Sequence, residues 1–399
     1  MGKVYKPIGE LGKIVTGKTP KTDIALNWGG SIPFITPSDI LGYNSYYQGN
    51  TERYVSDDGV EKQKATLLPP NSVCFTCIAS IGKSCLTRVS SITNQQINSI
   101  IPNKHIDYRY LLYMLRYNLP YIQMVGGGSG SGTPIISKNK FAKFKFLVEE
   151  SLPIQHRIAS ILSTYDTLIE NNTKRICLLE KMAENLYKEW FSYNRIKNDA
   201  KVVRLTDIIT ITRGLSYSSE EIECNEGVDL INLKNIQSYG GFRYDGTKKF
   251  GGKYKDEQIV CNGDLVMGVT DMTQDRRTVG SVALIPDTGK LSVISADLIK
   301  ITSEISSVFL FGMFKYGSVS KYVAQFANGA NVLHLRPKVL HNVKVLLPSL
   351  ELVKEYVEKV SPIISEQNKL YVLSTQLARQ RDLLLPRLMS GKLEVKVKA

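Results

Sequence analysis

The chain has 399 residues, 43% of them hydrophobic, and a formal net charge of +14. This composition excludes a disordered chain, and no apolar run reaches the ~18 residues of a membrane-spanning helix. Both halves are basic, which favours a polyanionic partner, DNA or RNA before a membrane surface. The N-terminus lacks the apolar region of a secretory signal, so we expect a cytoplasmic protein.

Residues 1–150 alternate short strand-like runs with turn residues, which predicts a strand-rich domain. The loop over residues 16–22 carries hydroxyl and cationic side chains suited to phosphate contact, although an ordinary turn has the same composition. The aromatic residues that follow can stack on bases or pack on the domain, and the later glutamines can bond adenine or simply form a turn. The candidate DNA-binding residues here are Lys18, Thr19, Lys21, Tyr43, Tyr46, Tyr47, Gln95 and Gln96.

Two short motifs in this domain resemble a metal site and a phosphate-binding loop, but neither prediction is supported by the residues around it. Cys74 and Cys77 form a CxxC pair, but the run around them also reads as a buried strand, so no metal site is predicted. The Gly-Lys-Ser run at 82–84 is not a phosphate-binding loop, because Cys77 stands where that motif needs its first glycine. A helix is predicted from Tyr108 to about Val125, and a last strand from Phe144 to Val148.

A long helix is predicted from Ile158 to Trp190, within a segment spanning 151–192, because apolar residues recur in steps of three and four. Asn172 is polar at one of these positions, and a buried amide in such a seam usually fixes register and partner. The seam residues are Ile169, Asn172, Ile176, Leu179, Ala183, Leu186 and Trp190.

After a polar linker over 193–202, a second domain is predicted over 203–347, and then a second long helix within 348–390 that ends near Leu385, before a tail over 391–399. The candidate DNA-binding residues of this domain are cations, amides and an aromatic in predicted loops: Arg213, Tyr217, Arg243, Lys248, Lys249, Gln274, Arg276 and Arg277. The seam of the second helix comprises Ile364, Gln367, Tyr371, Ala378 and Leu385.

The chain repeats itself. A shift of 195 residues carries Ile169 onto Ile364 and Asn172 onto Gln367, so even the polar interruption recurs. A shift of 199 carries the run at 114–117 onto that at 313–316. We therefore predict an α+β protein with an internal pseudo-two-fold repeat, in which two strand-rich domains are each followed by a long helix and the helices pair as an antiparallel coiled coil.

Four stretches resemble the specificity subunit of Type I restriction-modification systems: residues 16–20 (TGKTP), 28–40 (WGG…IPFITPSDI), 93–97 (TNQQI) and 381–391 (RDLLLPRLMSG). The likeness, with the duplicated plan, covers nearly the whole chain. It departs from the family pattern at the start of the first long helix, where Glu149 or Glu150 replaces a proline, and at Val353, which replaces a glutamine.

The resemblance implies a non-catalytic subunit whose two domains are target recognition domains, each reading half of a split, asymmetric site on double-stranded DNA. It implies that the helices set the unread spacer and dock two methyltransferase subunits, and through them restriction (motor) subunits. S-adenosylmethionine, ATP and Mg²⁺ are then expected in those partners, with no cofactor in this chain. The alternatives are a basic coiled-coil adaptor and a self-contained DNA-modifying enzyme.

Overall fold

The computed structural model describes residues 2–40, 46–126, 133–196, 199–222 and 226–396. The chain divides into two compact units, one formed by Met1–Asn172 with Leu373–Ala399 and the other by Thr173–Val372. Each unit therefore contains one globular domain and a part of both long helices. Among the described residues, no helix is both long enough and apolar enough to cross a membrane.

The described residues of the first unit form three sheets. A four-stranded antiparallel sheet, here called the first main sheet, has the order Gly12–Thr16, Ile97–Pro102, Val73–Thr76 and Ser84–Leu86. A second sheet has the order Arg53–Val55, Trp28–Ile35 and Ile92–Thr93, and its last two strands are parallel. A short sheet pairs Lys3–Pro7 with Lys145–Glu149, so that the first strand of the domain lies beside its last.

The helices of this domain are short. The α-helices are Ile8–Leu11, Asp57–Glu61, Tyr108–Tyr117, Leu119–Gly126 and Lys138–Lys143, and 3₁₀ turns lie at Ala25–Asn27 and Lys64–Thr66. The single helix predicted over 108–125 is therefore wrong, because the chain breaks at Asn118. Pro120 explains the break, since proline lacks an amide hydrogen and fits only the first turn of a helix.

The second unit repeats this plan. Its main sheet has the order Thr210–Arg213, Leu298–Thr302, Leu265–Gly268 and Val282–Leu284. Its second sheet has the order Lys248–Phe250, Val228–Ile231, Ser292–Ile294 and Ile259–Val260, again with one parallel pair. The short sheet pairs Lys201–Arg204 with Lys344–Leu347. The equivalent order of equivalent strands confirms the predicted internal repeat and the strand-rich domains.

The remaining elements of this unit are shorter still. Thr270–Asp271 pairs with Leu333–His334. The short α-helices near or within this domain are Tyr193–Ile196, Ser219–Ile222, Ser307–Lys315 and Val319–Ala324, and 3₁₀ turns lie at Leu205–Asp207, Leu233–Asn235, Tyr244–Gly246, Asp256–Gln258 and Pro337–Asn342.

The linker predicted over 193–202 is shorter than expected. Its last two residues, Lys201 and Val202, already belong to the strand that pairs with Lys344–Leu347. The reason lies in residues 201–204, where two valines between cations favour an extended strand. Val203 lies opposite the buried Val345, so the strand begins the second domain instead of preceding it.

The two long helices extend further than predicted. The first spans Leu152–Trp190 and the second Leu350–Ser390. The second continues through Pro386, where we expected it to have ended, because Leu388 and Met389 are buried in the core of the first domain. Their burial outweighs the lost amide hydrogen bond. Gly391, with a φ of 84°, then follows the last turn in the left-handed conformation that commonly ends helices.

Within each unit, contacts between the two helix segments run antiparallel. In the first unit, Asn172 Nδ2 donates a hydrogen bond to Ser374 Oγ at 3.2 Å. In the second, Gln367 Nε2 donates to Glu180 Oε2 at 3.1 Å, and Arg175 forms an ion pair with Glu366 at 3.0 Å. The two polar seam residues, Asn172 and Gln367, are buried and hydrogen-bonded between the helix segments.

A buried ionic cluster joins three segments of the first unit. Asp166 accepts a hydrogen bond from Tyr113 Oη at 2.5 Å, lies 3.4 Å from Arg116 Nη1, and forms a second ion pair with Arg381. The side chains of Asp166 and Arg381 are only 2% and 5% exposed. A globular-domain helix and both long helices are therefore fixed to one carboxylate.

The second unit has an analogous anchor. Glu180 accepts hydrogen bonds from Lys315 at 2.5 Å, Tyr316 at 2.8 Å and Gln367 at 3.1 Å. Burial disfavours ionisation of this carboxyl, but these three donors outweigh burial and lower its pKa. Lys315 lies 199 residues after Arg116, so the repeat supplies a cation at the same place in both domains.

Replacing Asp166 by Asn should destabilise the protein strongly. The amide keeps the shape of the side chain but removes the charge that the buried guanidinium groups of Arg116 and Arg381 both contact, so we expect the free energy of unfolding to fall by about 3–5 kcal/mol. Chemical denaturation followed by circular dichroism measures this change. Glu184→Gln is the control, because it breaks an exposed pair with Lys188 on the same helix and should cost less than about 1 kcal/mol. Equal losses for both variants would contradict the anchoring role.

Candidate nucleic-acid interface

Three loops of the first domain meet at one end of the first main sheet, where the strand Gly12–Thr16 ends. The amide of Gly17 donates to the Ile97 carbonyl at 3.1 Å. The amide of Asn94 donates to the Ile35 carbonyl at 3.0 Å. Thr19 Oγ1 donates to Gln95 Oε1 at 2.7 Å. Three stretches that are distant in the sequence therefore form one surface, here called the motif loops (residues 16–21, 35–40 and 93–97).

Gly17 allows this close approach. A Cβ atom there would lie 2.2 Å from the Asn94 carbonyl oxygen, which no side chain tolerates. Gly214 occupies the corresponding place in the second repeat, where a Cβ would lie 2.0 Å from the Ser295 carbonyl oxygen. A glycine at the end of the first strand of each main sheet thus brings two loops into backbone contact.

The second motif loop is held by a carboxylate turn. Asp39 accepts hydrogen bonds from the amide of Thr36 at 2.7 Å and from that of Glu52 at 2.9 Å. In the second repeat Asn235 accepts from the amide of Asn232 at 3.0 Å. This equivalence was not predicted from the sequence. The signal was available, because the stretches Ile35–Ile40 and Ile231–Ile236 begin and end alike at an offset of 196.

The predicted DNA-binding residues of the first domain differ in their exposure to solvent. Lys18, Lys21 and Gln95 are exposed beside the motif loops, whereas Thr19 and Gln96 are half-buried and hydrogen-bonded within them. Tyr43 lies outside the described residues. Cations and an amide are thus available for phosphate and base contacts, and the two half-buried residues organise the loops that carry them.

Tyr46 and Tyr47 pack on the core of the first domain. Tyr46 is stacked on Tyr113 with ring centroids 6.4 Å apart, and Tyr47 meets it edge-on at 4.8 Å. Burial is the main reason that the pKa of each phenol is raised. The guanidinium of Arg88 lies 4.4 Å over the Tyr47 ring. These contacts leave less of either ring available for stacking on a base.

The first domain also contains an aromatic–cation stack that was not predicted from the sequence. The Arg53 guanidinium lies 3.4 Å from the centre of the Trp28 ring, and Trp28 Nε1 donates to the Lys21 carbonyl at 3.2 Å. The ring therefore fixes the backbone of the loop that carries Lys21. No sequence spacing predicts a contact between residues 28 and 53, because they meet only when their two strands pair.

Several predicted cations of the second domain already have carboxylate partners. Arg243 pairs with Asp245 at 2.7 Å, Lys249 with Asp229 at 2.6 Å, and Arg277 with Asp275 at 2.5 Å. Arg213, Gln274 and Arg276 are exposed. Tyr217 and Lys248 are half-buried, and the ammonium lies 5.9 Å over the ring. The positive charge of this surface is thus partly neutralised.

Asp271 holds the loop that presents Gln274 and Arg276. Its carboxylate accepts hydrogen bonds from the amides of Thr273 at 2.8 Å and Thr278 at 2.7 Å. Burial raises the pKa of this carboxyl, but the hydrogen bonds from these two threonines prevail and lower it to about 2. Gln274 Nε2 also donates to the Ala330 carbonyl at 3.0 Å, and Arg276 has a left-handed φ of 53°. The loop is therefore preorganised.

Among the residues that the structure describes, no group of three or more His, Cys, Asp or Glu side chains could hold a metal ion. Cys74 and Cys77 are buried, with Cys74 on the third strand of the first main sheet and Cys77 directly after it.

The fold and these loops define a protein built from two copies of one recognition domain, each followed by a long helix. The chain belongs to the Type I restriction modification DNA specificity domain family, whose model matches residues 2–181 and again residues 197–373. This finding confirms the resemblance seen in the sequence.

Relatives of similar length support the assignment. The chain is 25% identical to the Type I restriction enzyme MjaIX specificity subunit of Methanocaldococcus jannaschii, over 98% of this chain and 93% of that one. It is 29% identical to the EcoR124I/EcoR124II specificity subunit of Escherichia coli over 43% of this chain and 42% of that one. The crystal structure of a Type I S subunit from M. genitalium has the same fold, with a TM-score of 0.62 and 14% identity over 97% of this chain and 96% of that one.

Replacing Asp271 by Asn should loosen its loop. An amide is a weaker acceptor than a carboxylate for the amides of Thr273 and Thr278, so we expect their hydrogen exchange to accelerate by about 5- to 100-fold. In the native protein a carboxyl with a lowered pKa stabilises the fold above its unfolded pKa of about 4 and loses that effect as the pH falls through about 2. The two amide resonances should therefore titrate together near pH 2. Asp275→Asn, which changes an exposed carboxylate of the same loop, should leave the hydrogen exchange of both amides unchanged. Equal acceleration in the two variants would contradict the role of Asp271 in holding the loop.

Proposed function

We propose that this chain selects the DNA sequence on which a Type I restriction-modification complex acts, with each repeat reading one half of a split, asymmetric double-stranded site. The observation that carries the proposal is the duplication of one recognition domain, with its motif loops, in a family defined by DNA specificity. Two readers in one chain require two half-sites at a fixed spacing. The long helices that follow the domains are the elements that would set this spacing.

The proposal extends to partners and to the division of labour. The relatives are named as specificity subunits of Type I restriction enzymes, which supports a role in choosing a target for other subunits. In this proposal the chain itself is non-catalytic and works in the cytoplasm. Two methyltransferase subunits bind to it and use S-adenosylmethionine, and restriction subunits add ATP- and Mg²⁺-dependent cleavage.

Electrostatics supports different roles for the candidate residues. Lys18, Lys21, Arg213 and Arg276 are exposed cations, and among the described residues no carboxylate lies within ion-pair distance of them, so they can approach phosphate at little cost. Arg243 and Arg277 lie against aspartates, and a phosphate would have to displace those carboxylates. We therefore assign backbone positioning to the first group. The exposed amides of Gln95 and Gln274 are the candidates for base contacts.

Selection of bound duplexes from a random DNA library is the direct test. The chain, assembled with its methyltransferase, should enrich two short sequence blocks separated by a gap of fixed length and no preferred sequence. A single enriched block would mean that only one domain reads DNA. Binding that depends on salt alone, with no enriched block, would favour the basic adaptor, and methylation by the isolated chain would favour a self-contained enzyme.

Substituting the exposed cations of the first domain should weaken binding and lower its dependence on salt. We expect Lys18→Ala with Lys21→Ala to weaken binding and to lower the slope of log affinity against log salt concentration by about 1.8, because each phosphate contact contributes about 0.9. Binding to the enriched duplex, measured between 50 and 200 mM salt, gives this slope.

The matched control leaves the candidate interface intact. Lys188→Ala with Lys181→Ala removes the same charge from exposed positions of the first long helix and should leave the slope unchanged. Equal slopes for all three proteins would remove Lys18 and Lys21 from the interface.

A further inference from the structure

The turn that follows the third strand of each main sheet differs in length between the two repeats. In the first repeat the amide of Gly82 donates to the Thr76 carbonyl at 3.0 Å, and five residues lie between them. In the second repeat the amide of Gly280 donates in the same way to the Gly268 carbonyl at 2.7 Å, across eleven residues. Both donor glycines have a positive φ, 103° and 76°. The turn of the second repeat is therefore six residues longer.

Strand pairing places the six additional residues. Ile78 forms a bridge with Ile135, and Thr270 pairs with His334, which lies 199 residues after Ile135. Ile78 and Thr270 are therefore equivalent, and the additional residues come after Thr270. They are residues 272–277, here called the inserted loop.

The inserted loop lies at the end of the second main sheet where Gly214 follows the first strand. Arg213 pairs with Ile299, and Leu298, the residue before Ile299, pairs with Gly268. The strands that lead into Gly214 and into the inserted loop therefore end on the same side of the sheet, one strand apart. This position places the inserted loop close to the exposed Arg213, one of the DNA-contact candidates of the second domain.

Hydrogen bonds hold the inserted loop at both ends. Asp271 is buried and accepts from the amide of Thr273 at the start of the loop. At the end of the loop the Arg277 carbonyl accepts from the amide of Tyr239 at 2.7 Å. The conformational entropy of the loop is therefore lost on folding, and a ligand that binds the loop does not have to order it.

Met272 gives the inserted loop an apolar surface. Its side chain is 71% exposed. The side chains of the loop that form hydrogen bonds or ion pairs are Thr273, Gln274, Asp275 and Arg277. A methionine exposed to this extent contributes little to the core, and its unbranched thioether adapts to the surface that it meets. Its apolar surface is therefore available to a ligand.

The major groove of duplex DNA offers a group that matches this side chain. The 5-methyl group of thymine is the apolar group that base edges present there, and the groove, about 12 Å wide, admits a narrow protein segment. Arg276 in the same loop and Arg213 beside it supply positive charge for the phosphates that border the groove. A thymine methyl group is thus the feature of a base pair that best complements Met272.

We infer that the inserted loop enters the major groove of one half-site and that Met272 contacts the 5-methyl group of a thymine there. The inference rests on the proposed function, which supplies duplex DNA as the ligand. In the first repeat the shorter turn exposes only Ala79 and Ser80 at the equivalent place. The two domains therefore read their half-sites with different elements.

Deoxyuridine tests the inference without any change to the protein, because it pairs as thymine does but lacks the 5-methyl group. Duplexes that carry the two enriched blocks are prepared with each thymine replaced in turn, and their affinity for the chain assembled with its methyltransferase is measured. We expect one of these replacements to weaken binding about fourfold, the effect of one buried methyl group. Met272→Ala should bind that deoxyuridine duplex and its thymine counterpart equally.

Leu291→Ala is the matched control. Leu291 is 48% exposed in the same domain, but it precedes the strand Ser292–Ile294, whose other end leads to Ser295 beside Gly214. This variant removes an exposed apolar side chain far from the inserted loop and should retain the fourfold difference between the two duplexes.

Three results would overturn the methyl contact and leave the proposed function intact. They are enriched blocks without thymine on either strand, equal affinity of the unmodified protein for every thymine and deoxyuridine duplex, and a fourfold difference that persists in Met272→Ala. Equal weakening of Met272→Ala on all duplexes, with no effect of deoxyuridine on the unmodified protein, would instead indicate that Met272 inserts between stacked bases. Failure to enrich any block would overturn the proposed function together with the inference.

Discussion

The carboxylate of Asp166 is the contact on which the first unit depends. It contacts Tyr113 and Arg116, which lie on the domain helix Tyr108–Tyr117, and Arg381, which lies near the end of the second long helix. Burying three charges is costly, and an apolar cluster of the same volume could be as stable. A charged cluster nevertheless discriminates between registers more sharply, because a shift of either helix by one residue leaves buried charges without partners. This cluster therefore fixes the register of the helices, as the buried amides of Asn172 and Gln367 do.

Duplication explains why such anchors are needed twice. Each unit combines one domain with segments from both long helices, so residues distant in the sequence must meet correctly in each. Both anchor carboxylates come from the first long helix: Asp166 serves the first unit and Glu180 serves the second. Among the described residues, the second long helix does not supply an equivalent carboxylate to either anchor. The cations, Arg116 and Lys315, are equivalent by the repeat. The domains thus repeat more faithfully than the helices that hold them.

The sequence predicts the parts of this structure that depend on periodicity. The long helices, the repeat and the polar seam positions follow from spacing alone, and the motif loops follow from residues that resemble a family. The aromatic–cation stack of Trp28 with Arg53 does not, because strand pairing creates it. Asp166 and Arg381 could have been found: Asp166 lies three residues before the seam residue Ile169, and Arg381 three after Ala378, so opposite charges stand on the two seams.

Charge alone is a poor guide to the DNA-contact surface of the second domain. Of its predicted arginines, Arg243 and Arg277 are already neutralised by neighbouring aspartates, whereas the loop fixed by Asp271 presents Arg276 in a strained left-handed conformation. A residue held in that conformation costs about 1 kcal/mol or more, and the surrounding hydrogen bonds must supply it. A buried carboxylate that holds the loop of an exposed cation in place favours recognition more than a second mobile cation would. The conformational entropy of that loop is lost on folding, so DNA binding does not have to order it. Specificity in this domain therefore depends on how the loop is built as much as on the charge it carries.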